Sequence, residues 1–215
     1  MSAREFPEPY TITFSGSRLV RWLLRQAGWQ VRFEGLPALQ GVVAIYPHTS
    51  NWDFVMLVLA KWAIGIPVQF WGKDKLFRVP LFGRWVRWLG GRPVDRTSPH
   101  GVVAQAVEEF ARARARGTYL WLALAPEGTR RRIPGWRSGF YQTTLRTGVP
   151  LGLVRLDYGR REVTVLDFIR LSGDETNDFR RIASVYEGVT GYNPHNAAPI
   201  RLLPASVSRA ETIVK

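Results

Sequence analysis

The chain has no cysteine in its 215 residues, which removes a disulfide framework, a thiolate metal site and a cysteine nucleophile. The lack of disulfides fits a reducing compartment. Histidine is scarce, with three residues at positions 48, 100 and 195. No His/Asp/Glu cluster has metal-ligand spacing, so neither a metal nor a resident cofactor is expected. No apolar run is long enough to span a bilayer. The longest, Phe54 to Gly72, is interrupted by Lys61 and broken by Pro67, short of the ~20 residues a spanning helix needs. The opening "MSAREFPEPY" lacks the basic-then-apolar layout of a signal peptide. These absences predict a cytoplasmic protein that meets a membrane only peripherally, at its inner face. Acidic residues are also few: 17 Asp plus Glu stand against 30 Lys plus Arg, a formal charge of +13.

That excess is carried almost entirely by arginine, and it directs the chain toward polyanions: nucleic acid, an anionic membrane face, or phosphorylated small molecules. Nine tryptophans favour the membrane face, because Trp beside Arg suits the headgroup region. No nucleic-acid reading motif is present, and no nucleic-acid partner is expected. The chain reads as one domain over 1–215, with an N-terminal arm and amphipathic helix (10–29), an α/β core (41–171) and a C-terminal helix and tail (174–215).

Near the N-terminus, "SGSRLVRWLLRQAGW" predicts a helix capped at Ser15 or Ser17, with Leu19, Val20, Leu23 and Leu24 on one face and Arg18, Arg21 and Arg25 around the other. Six short runs rich in β-branched and aromatic residues follow: Gly41–Pro47, Pro67–Gly72, Arg92–Arg96, Thr118–Pro126, Val149–Tyr158 and Glu162–Leu171. Helical patterns at Trp52–Ile64, Leu81–Leu89, Pro99–Arg116, Ser138–Thr147 and Asp174–Val189 separate most of them. The alternation predicts an α/β fold with a mainly parallel mixed sheet covered by helices. The last two runs are joined by "GRR", which predicts a hairpin at the sheet edge.

In such a sheet, ligands bind beyond the carboxyl ends of the strands, and the polar motifs fall there. "YPHTSNWD" places His48 and Asp53 where the first core run ends. A helix starting at Thr49, Ser50 or Asn51 would leave His48 outside it, free to fold back so that Asp53 accepts its Nδ1 proton. No G-x-S-x-G elbow supplies a nucleophile, so the activated group belongs to the substrate. "APEGTRR" follows another strand: Glu127, Gly128 and Thr129 form a tight turn whose amides can face an anion, with arginine forks from Arg130 onward. In "WLGGRPVDRTS", Arg96 stands near a helix start, a natural anion site. "GVP", ending at Pro150, reads as the start of a strand. His100 and His195 lack carboxylates at useful spacing and are expected to be structural or solvated.

These four blocks together resemble the lysophospholipid acyltransferase family, the glycerolipid acyltransferases. The H-x-x-x-x-D block is matched by His48 and Asp53; the block with a glycine ahead of an acid–arginine pair by Gly91, Asp95 and Arg96; E-G-T-R by Glu127 to Arg130; and V-P by Val149 and Pro150. The resemblance covers about Gly41 to Leu153. It implies transfer of a fatty acyl group from an acyl-CoA or acyl carrier protein thioester to a lysolipid hydroxyl, lysophosphatidic acid by default. His48 would be the general base oriented by Asp53, and no acyl-enzyme would form. It also implies phosphate binding by Arg96, Gly128, Thr129 and Arg130, with Lys73 as a secondary contact and Glu127, Gly91, Asp95 and Pro150 in support. The bulky "NW" inside the first block departs from the family and leaves the acceptor open. Two other readings stand beside this one: a thioesterase or lipid esterase that turns His48 on water, and a non-catalytic basic module for anionic lipid or nucleic acid.

Overall fold

The computed structural model describes residues 6, 10–94 and 101–203, those at 73, 75, 76 and 94 by backbone alone. In chain order the elements are α1 (Arg18–Gln26), β1 (Gln30–Phe33), β2 (Gln40–Tyr46), α2 (Trp52–Ile64), β3 (Gln69–Lys73), α3 (Asp74–Arg78), α4 (Phe82–Trp88) and β4 (Gly91–Val94), followed by α5 (Gly101–Ala115), β5 (Leu120–Leu124), α6 (Gly139–Thr147), β6 (Leu151–Asp157), β7 (Glu162–Ile169) and α7 (Glu175–Val185). The strands form one sheet in the order β1-β7-β6-β2-β5-β3-β4. Five of them, β6 through β4 in that order, run parallel, so their carboxyl ends share one edge.

The β6–β7 hairpin is antiparallel, as the short connection requires. It is not the sheet edge, however: β1 adds outside β7 in parallel register, Gln30 opposite Glu162. β7 also carries a bulge. Leu153 pairs with Asp167 and Val154 with Val165, so Leu166 is the extra residue. The bulge reverses the alternation, and Phe168 therefore joins Val163 and Val165 in the core on one face of the sheet.

Strand alternation divides the apolar side chains between two layers. Val42, Ala44, Leu122, Leu151 and Leu153 pack against α5, α6 and α7 through Phe110, Phe140 and Phe179. Val43, Trp121, Val154 and Leu156 pack on the opposite face against Ala60 and Ile64 of α2. Trp121 and Trp136 are fully buried core tryptophans.

α1 begins at Ser17, whose side chain accepts the Val20 amide and caps the helix. A β-carbon on Gly16 would overlap the Ala63 carbonyl, so only glycine lets α1 start this close to the end of α2. The expected single apolar face divides: Leu24 is buried and Val20 partly so, whereas Leu19 and Leu23 lie exposed beside Trp22.

On α2, Lys61 is half-buried, and burial pushes its pKa below the usual lysine range. Its ammonium donates to the carbonyls of Val68 and of Leu89, the residue that ends α4. A cation at a helix C-terminus complements the dipole and here fastens α4 to α2. α4 begins abruptly. Leu81 has φ 63° and ψ −55°, and Phe82 N–H donates to Pro80 O at 2.7 Å. That is a γ-turn of the rare, strained hand, costing about 1–3 kcal/mol for a non-glycine residue.

Candidate active site

The turn after β2 is shaped by a side chain that reaches backward. Asp53, in the first turn of α2 and fully buried, accepts the Thr49 amide at 2.6 Å and the Ser50 amide at 2.8 Å on Oδ2. Ser50 Oγ accepts the Trp52 amide at 3.2 Å, while Asn51, at the N-cap position, makes no side-chain cap bond. Ser50 thus satisfies an amide that the helix start leaves open, Asp53 ties down the two turn amides ahead of it, and His48 stays outside the helix. His48 Nδ1 lies 3.3 Å from the same Oδ2, with the imidazole 17% exposed. The contact is bent out of hydrogen-bond alignment. Catalytic hydrogen bonds without substrate are often loose in this way and tighten when it binds.

Burial opposes ionisation of Asp53, but the adjacent His48 imidazole, the Ser50 amide and the Tyr158 hydroxyl outweigh it, holding the carboxyl below the usual aspartate range. Tyr158 follows β6, its ring edge-on to Trp29 and Tyr192 at 5.0 and 5.2 Å between centroids. Its hydroxyl and Asp53 Oδ1 are both buried, and neither is aligned for a hydrogen bond. Burial first, and then the Asp53 charge, push the Tyr158 hydroxyl's pKa well up.

β5 is the parallel neighbour of β2, so its following turn lies beside His48. Glu127, 1% exposed, extends under the His48 loop and accepts the His48 amide at 2.6 Å on one oxygen and the Ala198 amide at 2.8 Å on the other. Burial raises its pKa from 4.5 to about 7 against the pull of those two bonds. The next residue, Gly128, has φ 63°, and a β-carbon there would meet Arg137 Cδ at 2.8 Å; glycine is needed both for the turn and for the arginine crossing it. The anion-facing amides expected in this turn are partly engaged already. Gly128 N–H donates to Ala125 O at 3.0 Å, and Thr129 Oγ1 accepts the Arg131 amide at 3.3 Å. Arg130 is exposed.

Other expected residues separate into four groups. Lys73 ends β3 at the same sheet edge as His48. Gly91 and Pro150 lie toward the opposite edge: Gly91 opens β4 beneath Val86, with no room for a β-carbon, and the Pro150 carbonyl accepts the Val42 amide near the start of β2. Asp95, Arg96 and His100 lie outside the described residues. His195 is exposed in a short 3-10 turn.

The segment around His195 braces the motif. Asn193 donates its amide to Thr49 Oγ1 at 3.1 Å and its side-chain nitrogen to Thr49 O at 3.0 Å. Tyr46 donates to Ala198 O at 2.9 Å; burial and then the Glu127 charge raise the Tyr46 pKa to about 12. Tyr158, Asn193 and Ala198 were not signalled by sequence, because each meets the His48 turn only through tertiary contact. Among the described residues no His, Asp and Glu group could hold a metal ion, and no helix is long and apolar enough to cross a membrane.

Residues 18–152 match the family model described as Acyltransferase. The chain is 31% identical over 116 residues to the 1-acyl-sn-glycerol-3-phosphate acyltransferase of Escherichia coli (strain K12), a match covering 51% of this chain and 44% of that protein. The chain thus spans less than half the length of that curated relative. A solved structure, the 1-acyl-sn-glycerophosphate (LPA) acyltransferase PlsC from Thermotoga maritima, aligns with 78% of this chain and 75% of its own at a TM-score of 0.45 and 18% identity.

Proposed function

The chain belongs to the acyltransferase family, and we propose that it moves a fatty acyl group from a thioester, on coenzyme A or an acyl carrier protein, to the free hydroxyl of a lysophospholipid, by default lysophosphatidic acid. The observation that carries this reading is the contact of His48 Nδ1 with the buried Asp53 carboxylate, 3.3 Å away, beside the turn that holds Glu127 to Arg130. Asp53 orients the imidazole, leaving Nε2 to take the acceptor's hydroxyl proton. The freed oxygen attacks the thioester carbonyl to form a tetrahedral oxyanion. Its collapse forms the ester and expels the thiolate, which recovers the proton from His48. No covalent enzyme intermediate is needed, in keeping with the missing cysteine.

The acceptor's phosphate is assigned to Arg130 and Thr129, with Arg96 and Lys73 carried over from the family pattern. Gly128 serves this site through its backbone conformation. Glu127 is assigned to holding the His48 amide, since a carboxylate would repel the phosphate. The acceptor is taken from an anionic membrane surface, at the inner face of the cell membrane.

The test is thiol release from acyl-CoA and acyl carrier donors, with and without lysophosphatidic acid and other lysolipids, with products identified by mass spectrometry. Acceptor-dependent release that yields a diacyl product, lost by a factor of ~10² or more in folded His48→Ala, is the expected result. Release without an acceptor would convert the reading to a hydrolase. Undiminished transfer by His48→Ala would sink the mechanism.

A further inference from the structure

Ten of the thirteen large apolar side chains exposed among the described residues lie on α1, on α2 and on the segment from Val79 through α4. These elements adjoin one another. Ser17 N–H donates to Trp62 O, and Arg21 to Ala63 O, joining α1 to α2. Trp62 packs on Trp88, and Phe54 on Trp85, joining α2 to α4. The apolar side chains therefore share one flank, which reaches Trp52, next to Asp53, at the end where His48 sits.

The most exposed of them is Leu81, at 78%, on the strained γ-turn; Trp88 follows at 69%. Water gives this arrangement no return. The backbone holds an unfavourable conformation and presents a leucine to solvent at the tip. The charge pattern identifies what would compensate. From Lys75 to Val94 the sequence has five cations and no acid, and from Tyr10 to Phe33 it again has no acid. Arg84 is exposed between Phe82 and Trp85, and Arg87 lies over the Phe77 ring, 5.4 Å from its centroid. Tryptophans flanked by arginines with an aliphatic tip match the headgroup–acyl boundary, where rings sit among headgroups, cations meet phosphates and a leucine enters hydrocarbon. A second copy of the chain fits poorly, because two-fold pairing would oppose these cations to one another.

We infer that the Leu81 turn and α4 insert into an anionic phospholipid bilayer as a wedge, with the exposed flank of α1 and α2 lying along the same surface. This places His48 at the lipid boundary, and it rests on the proposed membrane-lipid acceptor only for that consequence.

The experiment compares wild type with the double variant Leu81→Asp, Trp88→Asp, both checked for fold by circular dichroism and thermal melting. The probe is vesicles of equimolar phosphatidylcholine and phosphatidylglycerol, read by co-sedimentation and by quenching of tryptophan emission with brominated acyl chains. Wild type should bind and be quenched, and the folded double variant should lose at least about tenfold in partitioning. Equal binding by the two proteins, or wild-type binding without quenching, would overturn the wedge. So would a concentration-dependent dimer in ultracentrifugation that the double variant abolishes, since the flank would then be covered by a second copy. With a short-chain lysolipid presented as monomers, the variant should keep wild-type turnover while losing turnover on vesicle-borne acceptor. If neither protein cleaves any thioester, the acyltransferase reading fails while the vesicle measurement still decides the wedge.

Discussion

A single buried carboxylate oxygen does most of the shaping at the candidate site. Asp53 Oδ2 holds two turn amides and touches His48, and the Tyr158 hydroxyl also favours its ionisation. Tyr158→Phe keeps the ring packed against Trp29 and Tyr192 and removes only the hydroxyl. Because that hydroxyl favours the charged carboxylate, its loss should raise the Asp53 pKa, read by NMR titration of the carboxyl, with the melting temperature nearly unchanged; an unmoved titration would mean that Tyr158 does not act on Asp53. Gly128→Ala must hold φ 63° with a β-carbon pressed on Arg137. The expected cost is about 1–3 kcal/mol, measured by denaturant unfolding, with a loss of acceptor affinity if the turn holds the phosphate. At this scale the His48–Asp53 pair was legible in the sequence, since a helix start between them can be read from "TSN". Tyr158 was not: it stands more than a hundred residues away, at a hairpin whose own sequence says nothing about Asp53.

Among the elements, the long helices and the core strands followed from periodicity. α2 spans Trp52–Ile64 as expected, and the six strand runs became β2 to β7 with ends shifted by a few residues. β1 escaped because "QVRF" is four residues of mixed polarity, recognisable only by pairing with β7. α3 escaped because five residues give no period to read. A sheet edge is likewise a property of partners, so the hairpin could be foreseen while its neighbour β1 could not. Lys61 looked like a flaw in an apolar run and is instead the clamp between α2 and α4. Lys61→Met keeps the apolar stem but leaves the Val68 and Leu89 carbonyls without their donor. Thermal or urea unfolding should show a loss of about 1.5–3 kcal/mol, and limited proteolysis should open the chain near α4 before the rest. Wild-type stability in this variant would mean that water replaces the ammonium without cost.

For the whole molecule, the pH dependence of stability carries the mark of Glu127. Its pKa is raised from 4.5 to about 7 by burial, so the folded state holds its proton through a range where the unfolded chain has released it. That contribution is complete below about pH 4.5 and is lost as pH rises through about 7. Wild-type unfolding free energy should therefore fall relative to Glu127→Gln across this window, by on the order of 3 kcal/mol, as read from urea unfolding at a series of pH values. A pH-independent difference would mean that Glu127 ionises normally in the fold. The same carboxylate has a temporal consequence. It joins the amides of His48 and Ala198, residues that a ribosome makes far apart in time. A nascent chain can complete the sheet up to β7 and still hold the strut beneath its histidine by one end only. The site is thus finished only when the segment after α7 emerges, and a chain stalled before residue 198 would be folded in large part yet leave Glu127 without its second amide.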